Sequence, residues 1–170
     1  PTVRENWMGP VINKAAYARY AKCVDNVAEH GEILVGGQHL TNGDLAKGYY
    51  CAPTVAMAPF DFRLWREEKF IPLVLVGAVD TLDEGIDRAN DSPYGLTAGF
   101  YGAKDEIPKF LDRIEAGVTY SNRPQGATTG AWPGFQPFGG WKGSGSTGKA
   151  IGSYHYLQQY FREQSQTIVD

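Results

Sequence analysis

The 170-residue sequence lacks the features of a membrane or secreted protein. It contains no run of about 18 consecutive apolar residues, which a transmembrane helix would need. Its first ten residues, PTVRENWMGP, do not combine a basic segment with an apolar one, as a signal peptide does. We therefore expect a cytoplasmic protein without membrane partners.

An excess of positive charge is also missing. The chain has 16 Lys and Arg residues and 19 Asp and Glu residues, spread along its length, for a net charge of -3. Nucleic-acid-binding proteins usually carry a basic patch or stripe. The composition therefore favours a small-molecule substrate or a protein as the partner and argues against nucleic acid.

Cysteine is scarce, with only Cys23 and Cys51 in the chain. Cys23 falls in a helical pattern and Cys51 at the start of a strand pattern, without CxxC spacing or a nearby pair of histidines. This placement predicts buried free thiols rather than a disulfide, a metal site or a nucleophile. We expect no metal.

Strand and helix patterns alternate over most of the chain. A helix is predicted from Asn13, its N-cap, to His30, with Gly31 as its stop. Further helices are predicted at residues 82–90, 105–116 and 154–161, and strands at 32–37, 54–57, 72–79, 96–101, 117–121 and 165–169. The apolar runs at 32–37 and 72–79 are typical of buried strands, the second covered on both faces. The alternation predicts an α/β fold with a mainly parallel sheet flanked by helices.

Glycine is abundant in residues 126–148, which hold eight glycines. Within them Gly143 to Gly148, GSGSTG, match a dinucleotide-binding loop and come close to a P-loop with Lys149. A P-loop needs a hydroxyl after its lysine, where this chain has Ala150, and both loops need a strand before them. Two interpretations remain: the glycines only allow tight backbone packing, or they form a functional loop.

Backbone donors and aromatic rings occur together around this segment. Gly130-Ala131 and Gly139-Gly140 offer main-chain N–H groups, and four aromatic residues lie among them: Trp132, Phe135, Phe138 and Trp141. Such a combination suits a small ligand with a carboxylate and a short carbon chain. The aromatic residues are equally consistent with a core.

An acidic pair, Glu67 and Glu68, precedes the apolar run at 72–79, and Phe70 follows it. A carboxylate can accept hydrogen bonds from both hydroxyls of a ribose, and an aromatic ring can pack against a nicotinamide. The alternative is an exposed charged turn before a strand.

Six motifs in order resemble the aldehyde dehydrogenase superfamily across nearly the whole chain: MGPVI, EILVGG, GYYCAPTV, REEKFIPLV, ANDSPYGLTAG and PFGGWKGSG. The resemblance implies that Glu68 and Phe70 contact the nicotinamide riboside of NAD, with NADP left open. Ile71 stands where many members have glycine.

Within the superfamily, NRPQGATTGAWPGFQPFGG, residues 122–140, is similar to 1-pyrroline-5-carboxylate dehydrogenase. That resemblance implies that the amides of Gly130 and Ala131 hold the α-carboxylate of the substrate and that Phe138 lies over its carbon chain. The implied reaction is oxidation of L-glutamate γ-semialdehyde to glutamate in proline catabolism.

The same resemblance places the nucleophilic cysteine, the general base and the Rossmann half upstream of this chain, so we assign no catalytic residue here. With a polar, unpatterned start at Pro1, the chain is expected to be the C-terminal part of a larger enzyme and inactive alone. Residues 1–164 are expected to belong to the catalytic domain, and residues 165–170 to form a strand that links subunits of a homo-oligomer. The alternatives are a non-catalytic interaction module and a dehydrogenase of another semialdehyde.

Overall fold

The computed structural model describes residues 8–124, 136–145, 151 and 153–170. The chain divides into two compact units, residues 1–79 and 80–170. No helix within the described ranges is a candidate for a membrane span.

Unit 1 begins with α1, Lys14–His30, whose two ends are fixed by local hydrogen bonds. The side chain of Asn13 accepts a hydrogen bond of 2.9 Å from the amide of Ala16, as an N-cap does. At the other end, the amide of Gly31 donates to the carbonyl of Val27. A Cβ on Gly31 would overlap the carbonyl oxygen of Met57. The predicted start and stop of this helix are confirmed.

Unit 1 also contains a three-stranded sheet, formed by β1 (Glu32–Val35), β2 (Thr54–Met57) and β3 (Leu73–Val76). β1 runs antiparallel to β2, and β2 runs parallel to β3. α1 packs against one face of the sheet. The core between them includes Cys23, Val27, Ile33, Ala56, Leu73 and Leu75. All three predicted strands are present, two of them shorter than predicted.

The expectation that β3 is covered on both faces is wrong for the described chain. Leu73 and Leu75 pack toward α1, whereas Val74 is 53% exposed and Val76 is exposed on the opposite face. β1 was also expected to be buried and is largely exposed. The physical reason is that the described part of unit 1 has a single α-helix, and one helix covers one face.

Unit 2 contains α2 (Leu82–Asn90) and α3 (Ile107–Arg113). Its strands are β4 (Tyr94–Gly95), β5 (Thr97–Phe100), β6 (Val118–Ser121) and β7 (Trp141–Lys142). β5 pairs with β6 in parallel, and β4 pairs with β7 antiparallel. The core is formed by Ile86, Phe110, Ile114 and Ala116. The α/β class is confirmed, with mixed pairing among the described strands rather than the mainly parallel pairing expected.

α3 is shorter at both ends than the predicted helix, residues 105–116. Pro108 lies in its first turn, and because proline has no backbone N–H it cannot donate to a carbonyl four residues earlier, so the helix does not extend further toward the N-terminus. Beyond the last turn, the side chain of Asn90 donates to the carbonyl of Arg113 and accepts from the amide of Glu115. These bonds replace those of a further helical turn.

The C-terminal residues differ from both predictions made for them. Where a short aromatic helix was expected, Leu157–Tyr160 form a single 3₁₀ turn. Residues 161–170 are exposed and have neither helix nor strand in this structure. An intersubunit strand requires a second subunit to pair with, so that strand stays a prediction.

Candidate functional site

The acidic motif forms a loop, Glu67–Ile71, between a 3₁₀ turn at Arg63–Arg66 and β3. Along this loop exposure alternates: Glu68 and Phe70 are exposed, while Glu67, Lys69 and Ile71 are partly buried. Glu68 and Phe70 are thus both accessible to a ligand, and their shared role at a cofactor stays a prediction.

Phe70 adopts a left-handed backbone conformation, with φ of 52°. For a bulky residue this conformation is uncommon and costs about 1–3 kcal/mol. The ring is nevertheless 76% exposed, so its own burial does not offset the cost. Strain of this kind persists where neighbouring contacts fix the backbone, and it occurs often at ligand sites.

Two contacts fix the backbone on either side of Phe70. Arg19, on α1, donates from Nε to the carbonyl oxygen of Lys69 at 2.9 Å. Ile71 packs against both hydrophobic clusters that line the inner face of the sheet. The exposed Phe70 is thus held between a hydrogen bond and a partly buried side chain.

The two glutamates have different partners. Glu67 forms an ion pair with Lys69, and the hydrogen bond from the Lys69 ammonium lowers the pKa of Glu67. Within the described ranges, no hydrogen bond or ion pair engages the carboxylate of Glu68. The carboxylate that can receive a ligand is therefore that of Glu68.

An open groove of about 370 Å³ lies along this loop and β3. Its lining includes Trp65, Glu68, Phe70 and Val74. Ligand sites combine mostly apolar walls with a few polar groups that fix orientation. An aromatic face beside a free carboxylate suits a ligand that carries hydroxyl groups next to a flat ring.

Both cysteines are buried and free, as predicted. Burial raises the pKa of Cys51 to about 11 and also raises that of Cys23. A nucleophilic cysteine needs a thiolate and therefore a lowered pKa. Neither thiol has the environment of a nucleophile. No group of three or more potential metal-ligating side chains occurs in the described part of the chain.

Of the residues predicted to bind substrate, Gly130 and Ala131 lie outside the described residues. Phe138 is described: it is partly buried in unit 2, and its amide donates to the carbonyl of Ile151 at 3.0 Å. The structure thus locates Phe138 without testing the carboxylate site.

The described glycines of the glycine-rich segment serve close packing. A Cβ on Gly140 would overlap the carbonyl oxygen of Ser144, and a Cβ on Gly145 would overlap that of Gly140. These contacts support the tight-packing interpretation at these positions rather than free donors. The strand that precedes Gly143 is the two-residue β7, paired antiparallel with β4, unlike the parallel strand of a nucleotide-binding fold.

Lys142 anchors this segment, a role that the sequence did not indicate. Its ammonium lies 2.5 Å from the Glu115 carboxylate and 2.5 Å from the carbonyl oxygen of Asn90. Its backbone is left-handed, with φ of 51°. Arg19 was also missed, because an arginine on a helix surface has no pattern that distinguishes it from a solvated charge.

Known proteins are similar to this chain over nearly its whole length. The model of the aldehyde dehydrogenase family matches residues 1–166. A 1-pyrroline-5-carboxylate dehydrogenase of Bacillus thuringiensis is 37% identical over 171 residues, which cover 99% of this chain and 32% of that protein.

Solved structures give the same result. A 1-pyrroline-5-carboxylate dehydrogenase from Thermus with bound NAD is 34% identical and superposes with a TM-score of 0.78, over 88% of this chain and 28% of that one. Lactaldehyde dehydrogenase from Escherichia coli is also 34% identical, with a TM-score of 0.79, over 96% and 32% of the two chains. The chain thus spans about a third of the length of the relatives it matches.

Proposed function

Because the chain belongs to the aldehyde dehydrogenase family, we propose that it forms part of an NAD-dependent enzyme that oxidises L-glutamate γ-semialdehyde to glutamate. The semialdehyde is in equilibrium with its cyclic imine, 1-pyrroline-5-carboxylate. The observation that carries the cofactor half of this proposal is the exposed pair Glu68 and Phe70, with Phe70 held in a left-handed conformation at an open groove.

The residues present fit the nicotinamide end of NAD. The carboxylate of Glu68 can accept hydrogen bonds from both ribose hydroxyls, and the exposed ring of Phe70 offers a face to the nicotinamide. When bound, the cofactor takes up the hydride that leaves the aldehyde carbon. The role of this chain is to hold and orient the nicotinamide ring that accepts the hydride.

The nucleophile is proposed to come from another part of the intact polypeptide. Such a thiolate adds to the aldehyde carbon, loss of hydride gives a thioester, and water then releases glutamate and the thiolate. Cys23 and Cys51 do not serve, since both are buried with raised pKa values. We therefore expect this chain to have no dehydrogenase activity when purified alone.

The substrate half of the proposal rests on the relatives named 1-pyrroline-5-carboxylate dehydrogenase and on the motif at residues 122–140. The amides of Gly130 and Ala131 are proposed to hold the α-carboxylate, and Phe138 to lie over the carbon chain. The lactaldehyde dehydrogenase relative has a comparable identity, so an aldehyde without an amino-acid carboxylate is the competing substrate.

The test is to measure kcat/KM of the intact protein with NAD and a panel of aldehydes. We expect L-glutamate γ-semialdehyde to exceed lactaldehyde and betaine aldehyde by at least about tenfold, because it alone of the three carries a carboxylate that can accept the hydrogen bonds of the proposed site. A preference for lactaldehyde would refute the substrate assignment. Absence of NADH formation with every aldehyde would refute the activity.

A second role is proposed for the C-terminal tail, as a strand that adds to a sheet of another subunit. Ile168 is 89% exposed and Val169 is 88% exposed, and β-branched residues favour strands. Removing residues 165–170 should lower the molar mass measured by light scattering if the tail links subunits. An unchanged molar mass would exclude this role.

A further inference from the structure

The Glu67–Ile71 loop contains no contact of its own that would hold Phe70 in place. The ring is exposed, the backbone is left-handed, and the ion pair within the loop joins Glu67 to Lys69, not to Phe70. What holds Phe70 must come from outside these five residues.

Besides the packing of Ile71 against the core, an outside contact comes from α1. The Nε of Arg19 donates to the carbonyl oxygen of Lys69, 50 positions along the chain. That carbonyl belongs to the peptide group that joins Lys69 to Phe70. A hydrogen bond to it fixes the orientation of this peptide plane and so constrains φ of Phe70 directly.

α1 is a firm support for such a contact. Tyr20, next to Arg19, is buried, and its hydroxyl donates to the carbonyl of Ala52 at 2.9 Å and lies 2.7 Å from the Thr54 hydroxyl. These bonds tie this turn of the helix to the start of β2. Arg19 therefore connects the Glu67–Ile71 loop to a helix whose position is fixed by the sheet.

We propose that Arg19 is a positioning residue for the cofactor: through the Lys69 carbonyl it holds Phe70 and Glu68 in the conformation that receives the nicotinamide riboside. This inference rests on the proposed function and extends it to a residue that does not touch the ligand. The proposal assigns the effect to the Nε–H donor and its position, and a substitution that keeps a donor without the charge tests this.

Two substitutions separate the hydrogen bond from the charge. Arg19→Met keeps an unbranched side chain of similar reach but removes the donor. Arg19→Gln also removes the charge, yet its amide nitrogen is bonded to Cδ, as Nε of arginine is, and can donate to the same carbonyl. Lys22→Met is the matched control, since Lys22 is an exposed cation one turn along the same helix.

Two measurements on the intact protein test the proposal. Hydrogen exchange of residues 64–75 without cofactor reports on the loop itself, and titration with NADH followed by fluorescence reports on binding. For Arg19→Met we expect faster exchange in this segment and an NADH dissociation constant raised roughly three- to tenfold, the range for one lost hydrogen bond. Arg19→Gln should stay near wild type in both, and Lys22→Met should be unchanged.

Unchanged exchange or NADH affinity in Arg19→Met would overturn the proposal, as would equal losses in Arg19→Met and Arg19→Gln. If Arg19→Met does not fold, Arg19→Leu replaces it, since leucine also lacks a donor. Values for Arg19→Leu equal to wild type would also overturn the proposal. Failure of the wild-type protein itself to bind NADH would refute the proposed function, whereas wild-type binding with an unaffected Arg19→Met refutes only the role of Arg19.

Discussion

Glu67 and Glu68 are adjacent in the chain and have opposite environments: Glu67 is partly buried in an ion pair with Lys69, and Glu68 is exposed at the groove. Substitution of Glu67 is therefore a matched control for substitution of Glu68 in a test of the cofactor site. Glu68→Gln should weaken NADH binding by roughly tenfold, because charge-assisted hydrogen bonds to the ribose are lost. Glu67→Gln should leave NADH affinity within about twofold.

Fluorescence titration of both variants checks this prediction. Equal losses in the two would mean that general negative charge, and not the position of Glu68, attracts the cofactor. A larger loss in Glu67→Gln would reverse the assignment.

Phe70 should show opposite effects on stability and binding. Phe70→Gly relieves a left-handed backbone that glycine adopts without strain, and the exposed ring contributes little burial. We expect the free energy of unfolding to stay level or rise by about 1 kcal/mol, while NADH affinity falls. Urea unfolding and NADH titration of Phe70→Gly and Phe70→Ala measure the two effects. A large loss of stability in Phe70→Gly would show that the ring is structural.

The proposed carboxylate site at Ala131 can be tested with a backbone change. Ala131→Pro removes one amide donor and should raise KM for L-glutamate γ-semialdehyde by an amount equivalent to about 1–3 kcal/mol. The KM of an aldehyde without a carboxylate should change much less, which controls for distortion of the loop. Equal effects on both aldehydes would contradict a carboxylate contact.

The buried thiol of Cys51 predicts a loss of stability at alkaline pH. Burial raises its pKa in the folded chain from 9.0 to about 11. The folded state therefore favours the protonated thiol, and its contribution is complete below about pH 9 and is lost as pH rises toward 11. The loss amounts to about 3 kcal/mol at most.

Urea unfolding of wild type and Cys51→Ala at about pH 7.5 and about pH 10.5 measures this contribution. The fall in the free energy of unfolding between the two pH values should be smaller in the variant. The same fall in both proteins would show that Cys51 is not its source.

Gly117 should tolerate no side chain, because a Cβ there would overlap the carbonyl oxygen of Gly139. Gly117→Ala is expected to lower the free energy of unfolding by about 1–3 kcal/mol. Gly9→Ala is the control, since a Cβ at Gly9 meets nothing within 4 Å. Urea unfolding that shows equal stability for the two variants would contradict the packing seen around Gly139.

The features predicted correctly from sequence depend on neighbouring residues. Asn13 and Gly31 bound α1 through bonds that reach three or four positions along the chain, and such bonds leave a sequence pattern. The left-handed conformation of Phe70 leaves no such pattern. The contact that constrains it is a hydrogen bond from Arg19 to Lys69, 50 positions apart in the chain. The anchoring of Lys142 by Asn90 spans 52 positions and was missed for the same reason.

The assignment of the site came from a motif and stays a prediction. Glu68 and Phe70 were chosen through resemblance, whereas their residues alone favoured an exposed charged turn. The fold adds a difference in exposure, since Glu67 is partly buried and Glu68 is exposed beyond the 3₁₀ turn that ends at Arg66.

The exposed outer face of the three-stranded sheet affects the solubility of the purified chain. Met57 pairs with Val76 on that face, and Val74 lies beside them, all exposed. Contiguous apolar surface of this kind promotes aggregation in concentrated solution. Threonine at positions 74 and 76 would keep the β-branched shape that strands favour and make this surface more polar. Leu73 and Leu75 on the inner face would be unchanged.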